Sequence, residues 1–215
     1  GACWQRGRGV PRNPRKAVHW YQKGAKQGDE KAQCLLGHCY ETGQGVPQDF
    51  VQAVYWYRKA AEQGEPAAQW KLGRCFAHGR GVDQDDAQAA EWYRKSAEQG
   101  VDEAQHALAC CYIQETGVEP DAAQAEQWMR RAAGQGNPEF QCDLALLYDF
   151  GFGGVKQDHA LALEWCRKAA EQGYREAQSY LAFLYETGYD TKKDLAQAAH
   201  WYQKAAAQGD SAAKV

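Results

Sequence analysis

Over residues 30–65 the chain carries two short stretches in which apolar positions recur at helical spacing. Ala32, Leu36, Cys39 and Tyr40 make one stripe, and Ala53, Trp56, Tyr57, Ala60 and Ala61 make another. Between them Gly43-Gln44-Gly45-Val46-Pro47 breaks the helix. Asp49 is placed to cap the second helix and Gly64 to end it in a left-handed conformation. Lys59 falls in its last turn, where the helix dipole favours a cation. Glu65-Pro66 and Asn137-Pro138 mark later helix starts, with Pro at the first helical position, where its missing N–H goes unneeded. The pattern predicts helix pairs.

The pair repeats. Trp20, Trp56, Trp92, Trp128, Trp165 and Trp201 step by 36, 36, 36, 37 and 36 residues. Gln-Gly pairs ending at Gly28, Gly64, Gly100, Gly136, Gly173 and Gly209 follow with the same steps. Two independent markers in phase over the whole chain define a tandem array. It spans residues 1–215 as a partial unit at 1–29, full units at 30–65, 66–101, 102–137, 138–174 and 175–210, and the start of another at 211–215. One helix pair buries too little surface to fold alone, so stability must come from stacking on neighbours.

The A-x-x-x-L-G-x-x-Y string at Ala32–Tyr40, the G-x-G-V loop, the later Asp, the A-x-x-W and the closing K-A-A-E-Q-G together resemble the Sel-one-like repeats (SLR). These are 36-residue relatives of the 34-residue tetratricopeptide repeat, and the loop Gly pair and longer period separate the two. The resemblance covers essentially the whole chain. It implies an all-α, right-handed α/α superhelical solenoid that serves as a non-enzymatic scaffold or adaptor for other proteins. Three units depart from the pattern: Glu115 replaces the first loop Gly, Gly153-Gly154 carries the one-residue insertion, and Asp190 replaces the second loop Gly. These changes bear on loop conformation and leave the fold untouched.

Composition narrows the partners. The chain is 44% hydrophobic and 25% charged, without the run of about 20 apolar residues that membrane insertion needs. A net charge of −3 gives no basic footprint for nucleic acid. The expected partner is a protein or peptide, with no cofactor. The chain opens Gly1-Ala2-Cys3, inside a first helix, and Asp210–Val215 begins a helix that does not finish. The expectation is therefore a longer natural protein, with uncapped ends able to stack on other copies, and a localisation left open to a preceding signal peptide.

Comparison between the copies separates architecture from recognition. The Trp column, the Gln-Gly column and the small-residue column Gly37, Gly73, Ala109, Ala145 and Ala182 stay nearly constant, and belong to packing. In arrays of this shape the first helix of each pair lines the concave face. With Ala32, Leu36 and Tyr40 turned inward, the groove columns are those of residues 31, 34, 38, 41 and 42. The candidate partner-binding residues are Lys31, Cys34, His38, Trp70, Arg74, His106, Cys110, Glu139, Cys142, Leu146, Phe150, Glu176, Ser179 and Phe183. Aromatic and Arg anchors within polar surroundings suit a recognition surface, and Trp70 with Arg74, one turn apart, form the candidate hot spot. Lys31, His38 and Arg74 make the N-terminal part basic. Glu139, Asp149, Glu176 and Glu186 make the C-terminal part acidic around Leu146, Phe150 and Phe183, so a bound peptide is expected to place basic and apolar groups there.

The chemical alternatives are weaker. Cys3, Cys39, Cys75 and Cys111 fall at 36-residue steps in a column that later reads Leu147 and Leu184, which marks apolar core. Stacked helices lie about 8–10 Å apart, whereas bridged Cα atoms lie within about 7 Å. A cysteine-rich secreted branch of the family staples its helix pairs through a Cys in the Lys-Ala-Ala segment, and Ala60-Ala61 and Ala169-Ala170 have none there. Free thiols lean towards the cytoplasm, with a secreted or periplasmic cell-wall or β-lactam-binding protein as the alternative. Cys34/His38 and His106/Cys110 each put two metal-ligand types on one helix face, short of the four a structural zinc takes. Ser211-Ala-Ala-Lys214 matches an S-x-x-K string without S-D-N or K-T-G, and the loop glycines lack the P-loop Lys. No enzyme is expected.

Overall fold

Aspartates start most of the helices, and glycines end them. The computed structural model describes residues 13–189 and 191–209. These form α1 (Pro14–Lys26), α2 (Glu30–Thr42), α3 (Phe50–Glu62), α4 (Pro66–His78), α5 (Asp86–Glu98), α6 (Asp102–Gln114), α7 (Ala122–Gly134), α8 (Pro138–Phe150), α9 (His159–Glu171), α10 (Arg175–Thr187) and α11 (Leu195–Ala207), and no strand is found among the described residues. Asp49, Asp85, Asp158 and Asp194 each accept from a backbone N–H three residues on, at 2.9–3.0 Å, satisfying a donor that a helix start leaves orphaned. The Glu65 and Asn137 side chains cap α4 and α8 ahead of their Pro residues, as the sequence indicates.

First helices end on a left-handed residue: Gly43, Gly79, Gly151 and Gly188, with φ between 61° and 71°. Glu115 holds the same conformation at φ 58°, so the loop departure read from the sequence keeps the backbone and lets a glutamate carry the strain. Two residues on, Gly45, Gly81 and Gly117 press against the backbone carbonyls of Pro14, Phe50 and Asp86, leaving no room for a Cβ. Each such loop is thereby pinned to the first turn of the preceding second helix. The loop position Asp190 lies outside the described residues.

The chain divides into two compact units, Gly1–Ala104 with Thr116–Val118, and Gln105–Glu115 with Glu119–Val215. Within each, consecutive helices pack antiparallel-neighbour fashion, α1 on α2, α2 on α3, α3 on α4 and α4 on α5 in the first, and α7 through α11 likewise in the second. The small-residue column admits the facing ring: Gly37 stands against Tyr57, and Gly73 against Tyr93. Cys39, Cys75, Cys111, Leu147 and Leu184 are buried in one column, and Cys166 fills the ring column, as expected of small apolar core residues. Cys3 lies outside the described residues.

A polar ladder crosses this core. Gln63 Nε2 donates to Gln33 Oε1 at 2.7 Å, and buried Gln33 Nε2 donates to the Ala25 carbonyl at 3.2 Å. One pair of side chains thus ties the second helix of a repeat, its first helix and the second helix of the repeat before. Gln99, Gln69 and Ala61 repeat the arrangement, as do Gln172, Gln141 and Ala133, and Gln208, Gln178 and Ala170. The Gln of the Gln-Gly pair is therefore structural in its own right. Lys95, Lys168 and Lys204 cover the faces of Trp92, Trp165 and Trp201 at 4.0–4.3 Å, so the last-turn cation also shields an indole.

Candidate partner-binding site

The first helices α2, α4, α6, α8 and α10 carry the candidate columns, and burial sorts their residues. Lys31, Glu139, Glu176, Phe150 and Phe183 are exposed, and His38, Trp70, Arg74, His106, Cys110, Leu146 and Ser179 are half-buried. Cys34 and Cys142 are only 7% and 5% accessible. Both are expected from the sequence to line the surface and are instead buried, whereas Trp70, His106 and Ser179 of the same column are half-buried. Asp149, counted above as surface acid, is 5% accessible. His159 Nδ1 lies 2.8 Å from its Oδ1, and the Tyr180 hydroxyl donates to its Oδ2. It is an internal anchor between helices, unavailable to a partner.

In the first unit, His38, Glu41, Thr42, Gln48, Phe50, Lys71, Arg74 and Arg80 line an open cavity of about 410 Å³. Its single carboxylate is already engaged: Glu41 Oε2 accepts from the Tyr57 hydroxyl at 2.6 Å and lies 3.3 Å from His38 Nδ1 and 3.5 Å from Lys71 Nζ. The His38 contact, opposed by burial and joined by Tyr57 and Lys71, holds the Glu41 carboxyl down at about 2. Gln48 Nε2 donates to the Glu41 carbonyl at 2.8 Å and fixes the loop beside it. Lys71 and Arg74 lie 5.3 and 5.0 Å from the centroid of the Trp70 ring, so the indole serves as a platform for both cations. Three cations, Lys71, Arg74 and Arg80, and one carboxylate, Glu41, line the cavity, and Lys71 already lies beside that carboxylate.

In the second unit His106 Nε2 lies 2.8 Å from Asp143 Oδ2, and Cys110 Sγ is 3.8 Å from the same ring. Phe150 and Phe183 remain 53% and 46% accessible, with Phe150 against Phe152 at 5.4 Å and Phe183 stacked on Tyr180. Among the described residues, no group of three or more His, Cys, Asp or Glu side chains is arranged to hold a metal ion, and no helix is long and apolar enough to cross a membrane. Ser211 and Lys214 lie outside the described residues.

The position just after that of Trp70, outside the columns singled out from the sequence, reads Leu35, Lys71, Ala107, Asp143 and Tyr180. Lys71 reaches back to Glu41, Asp143 to His106 and Tyr180 to Asp149, in each case a residue of the preceding first helix. The signal available in the sequence is complementarity: each polar member of this column finds an opposite charge or a hydrogen-bond partner about 30–37 residues earlier.

An array of 36-residue helix pairs, with no strand among the described residues, defines a helical-repeat protein. Sel1 repeat models match residues 1–29, 30–65, 66–101, 102–137, 138–174 and 175–210, and the chain belongs to the Sel1 repeat family. Proteins of this family generally act as scaffolds for protein–protein interaction and are generally non-enzymatic. The chain is 35% identical to a Sel1 repeat protein from Oxalobacter formigenes, with a TM-score of 0.79 over 92% of this chain and 81% of that one. It is 37% identical to a protective antigen of uropathogenic Escherichia coli strains that displays an SLR fold, with a TM-score of 0.70. That match takes in 99% of this chain but only 53% of the antigen, so the chain spans about half the antigen's length. An immunity protein from Pseudomonas aeruginosa, 23% identical over 95% of this chain and 70% of its own with a TM-score of 0.51, shares the fold alone. No curated protein matches the chain. The helical-repeat solenoid read from the sequence is the fold of these neighbours.

Proposed function

We propose that the protein is a scaffold that takes an acidic segment of a partner protein into the cavity between α2 and α4. The observation that carries this reading is the convergence of Lys71, Arg74 and Arg80 on one open cavity whose only carboxylate, Glu41, is held ionised by internal contacts. An incoming Asp, Glu or chain-terminal carboxylate meets net positive charge and a guanidinium pre-oriented on an indole. Trp and Arg are also the residue types that dominate binding hot spots. The exposed Phe150 and Phe183 supply a separate apolar contact in the second unit. With Asp149 buried, the acidic partners there reduce to Glu139, Glu176 and Glu186, and the preference for basic groups at that end is correspondingly local. A reducing compartment accords with this reading, since Cys34, Cys39, Cys75, Cys110, Cys142 and Cys166 are free thiols.

The test is fluorescence anisotropy with labelled peptides of one length and matched apolar content, carrying acidic, neutral or basic residues. Acidic peptides should bind most tightly, and should weaken between about 0.05 and 0.5 M salt as screening shortens the reach of the cations. Lys71→Ala with Arg74→Ala should abolish the preference. Equal binding of all three sets by the parent protein defeats the proposal.

A further inference from the structure

One cluster outside the basic cavity brings together a thiol, an imidazole and a carboxylate. His106 and Cys110 lie one turn apart on α6, and Asp143 comes from α8. Cys110 Sγ lies 3.9 Å from Nδ1 and 3.8 Å from Nε2 of His106. The ring is fixed from two sides: Nε2 pairs with Asp143 Oδ2 at 2.8 Å, and Phe140 stacks beneath it with centroids 4.5 Å apart and planes 14° from parallel. The sulfur is thus nearly equidistant from the two ring nitrogens. Burial of the ring opposes its charge, but Asp143 and Cys110 outweigh it and push His106 up to about 10. The Asp143 carboxylate thus favours the charged imidazole and places positive charge 3.8 Å from Cys110 Sγ, the kind of setting in which reactive cysteines sit.

The remaining cysteines supply the contrast. Of the seven described, Cys110 alone is half-exposed; the other six are buried. Burial pushes the thiols of Cys34 and Cys142 up to about 12 and that of Cys75 to about 11, and raises Cys39 and Cys166 as well. A thiol without water cannot ionise cheaply, and one without access cannot be attacked.

We propose that Cys110, beside the His106–Asp143 pair, is a modification site that takes small-molecule disulfides into a mixed disulfide. The Cys110 thiol gives its proton to solvent and the thiolate attacks one sulfur of R–S–S–R. The Cys110–S–S–R bond forms as the R–S–S–R bond breaks, and the second half leaves as a thiolate that solvent protonates. Cys110 is oxidised and half of the reagent reduced, with no other oxidant required. His106 is a positioning and charge-stabilising residue, and Asp143 holds its ring. The site lies in the second unit and stands independently of the partner-binding proposal.

The experiment uses the whole chain carrying Cys3→Ser and an excess of dithiobis-nitrobenzoate, whose released thiolate is coloured. At about pH 6.5 an ordinary thiol is about 1% thiolate, so selective reaction there reports activation. The expected result is one fast equivalent per chain, mapped by peptide mass spectrometry to Cys110. It should slow on the order of tenfold in His106→Gln and several-fold in Asp143→Asn. The gap between parent and His106→Gln should close above about pH 10, as His106 gives up its proton. Circular dichroism checks the fold, and Asp143, 39% exposed, supplies the deciding variant should His106→Gln unfold. A fast equivalent on another cysteine, or equal rates at about pH 6.5 in parent and folded variants, overturns the proposal.

Discussion

A Cβ placed on Gly37 would stand 2.7 Å from Cδ1 of Tyr57, whose ring is fully buried. The glycine is the space the tyrosine occupies, and Gly73 stands in the same relation to Tyr93. Where the small column becomes Ala109 and Ala145, the ring column becomes Met129 and Cys166. Ala182 faces Tyr202, whose ring is only half-buried and so has room to shift. Gly37→Ala should therefore destabilise the array by about 1–3 kcal/mol through overpacking. Adding Tyr57→Met should recover part of that loss, because the flexible chain can yield where the ring cannot. Urea unfolding of the two single variants and the double gives the coupling; strict additivity contradicts the account.

The glutamine ladder predicts a cost that apolar volume alone would not. Gln69→Leu fills the same space but removes the amide that donates to the Ala61 carbonyl and the oxygen that accepts from Gln99 Nε2, leaving that carbonyl the Gly64 N–H and the exposed Gln99 amide the Lys95 carbonyl. A loss of about 1–2 kcal/mol in urea unfolding is expected for the two inter-helix hydrogen bonds removed. A neutral or stabilising result means the ladder contributes nothing.

Glu115 is the one non-glycine described with positive φ. A left-handed conformation costs an L-residue roughly 1–2 kcal/mol, partly offset by glycine's greater freedom when unfolded. Glu115→Gly should accordingly stabilise the protein by about 1 kcal/mol. The reverse substitution at the equivalent position, Gly79→Glu, should destabilise it, and thermal unfolding of both variants reads out the sign.

Two charges make opposite pH predictions. The folded Glu41 value, about 2, lies below its ordinary 4.5, so its contribution is present above about pH 4.5 and drains away as pH falls towards 2. The folded His106 value, about 10, lies above its ordinary 6.5, so its contribution is complete below pH 6.5 and is lost as pH rises to about 10. Glu41→Gln should flatten the acid limb of the stability curve and leave the alkaline limb alone; His106→Gln should do the reverse. Denaturant midpoints across pH separate them.

How much of this was legible in the sequence depends on which contacts a period can encode. Helix starts at Asp49 and Pro66, ends at Gly43 and Gly64, and the core role of Cys39 and Cys75 follow from local spacing, because caps and stripes are short-range. The face carrying His38, Trp70 and Arg74 was likewise visible as columns. Lys71, Arg80 and Asp143 were not, because they complete their clusters across adjacent repeats or from a loop, and column positions say nothing about side-chain reach. Asp149 was misjudged for the same reason: its partners His159 and Tyr180 come from α9 and α10, and only their arrival buries it. Cys34 and Cys142 show that one column can hold both surface and core residues.

The most direct test of the central claim is charge reversal at the cavity between α2 and α4. Arg74→Glu, with Lys71→Glu in the same chain, should weaken the acidic peptide by on the order of tenfold or more and make the matched basic peptide the better ligand. Urea unfolding should confirm that both proteins remain folded. An unchanged preference for the acidic peptide in the folded double variant would contradict the account and move recognition away from Trp70, Lys71 and Arg74.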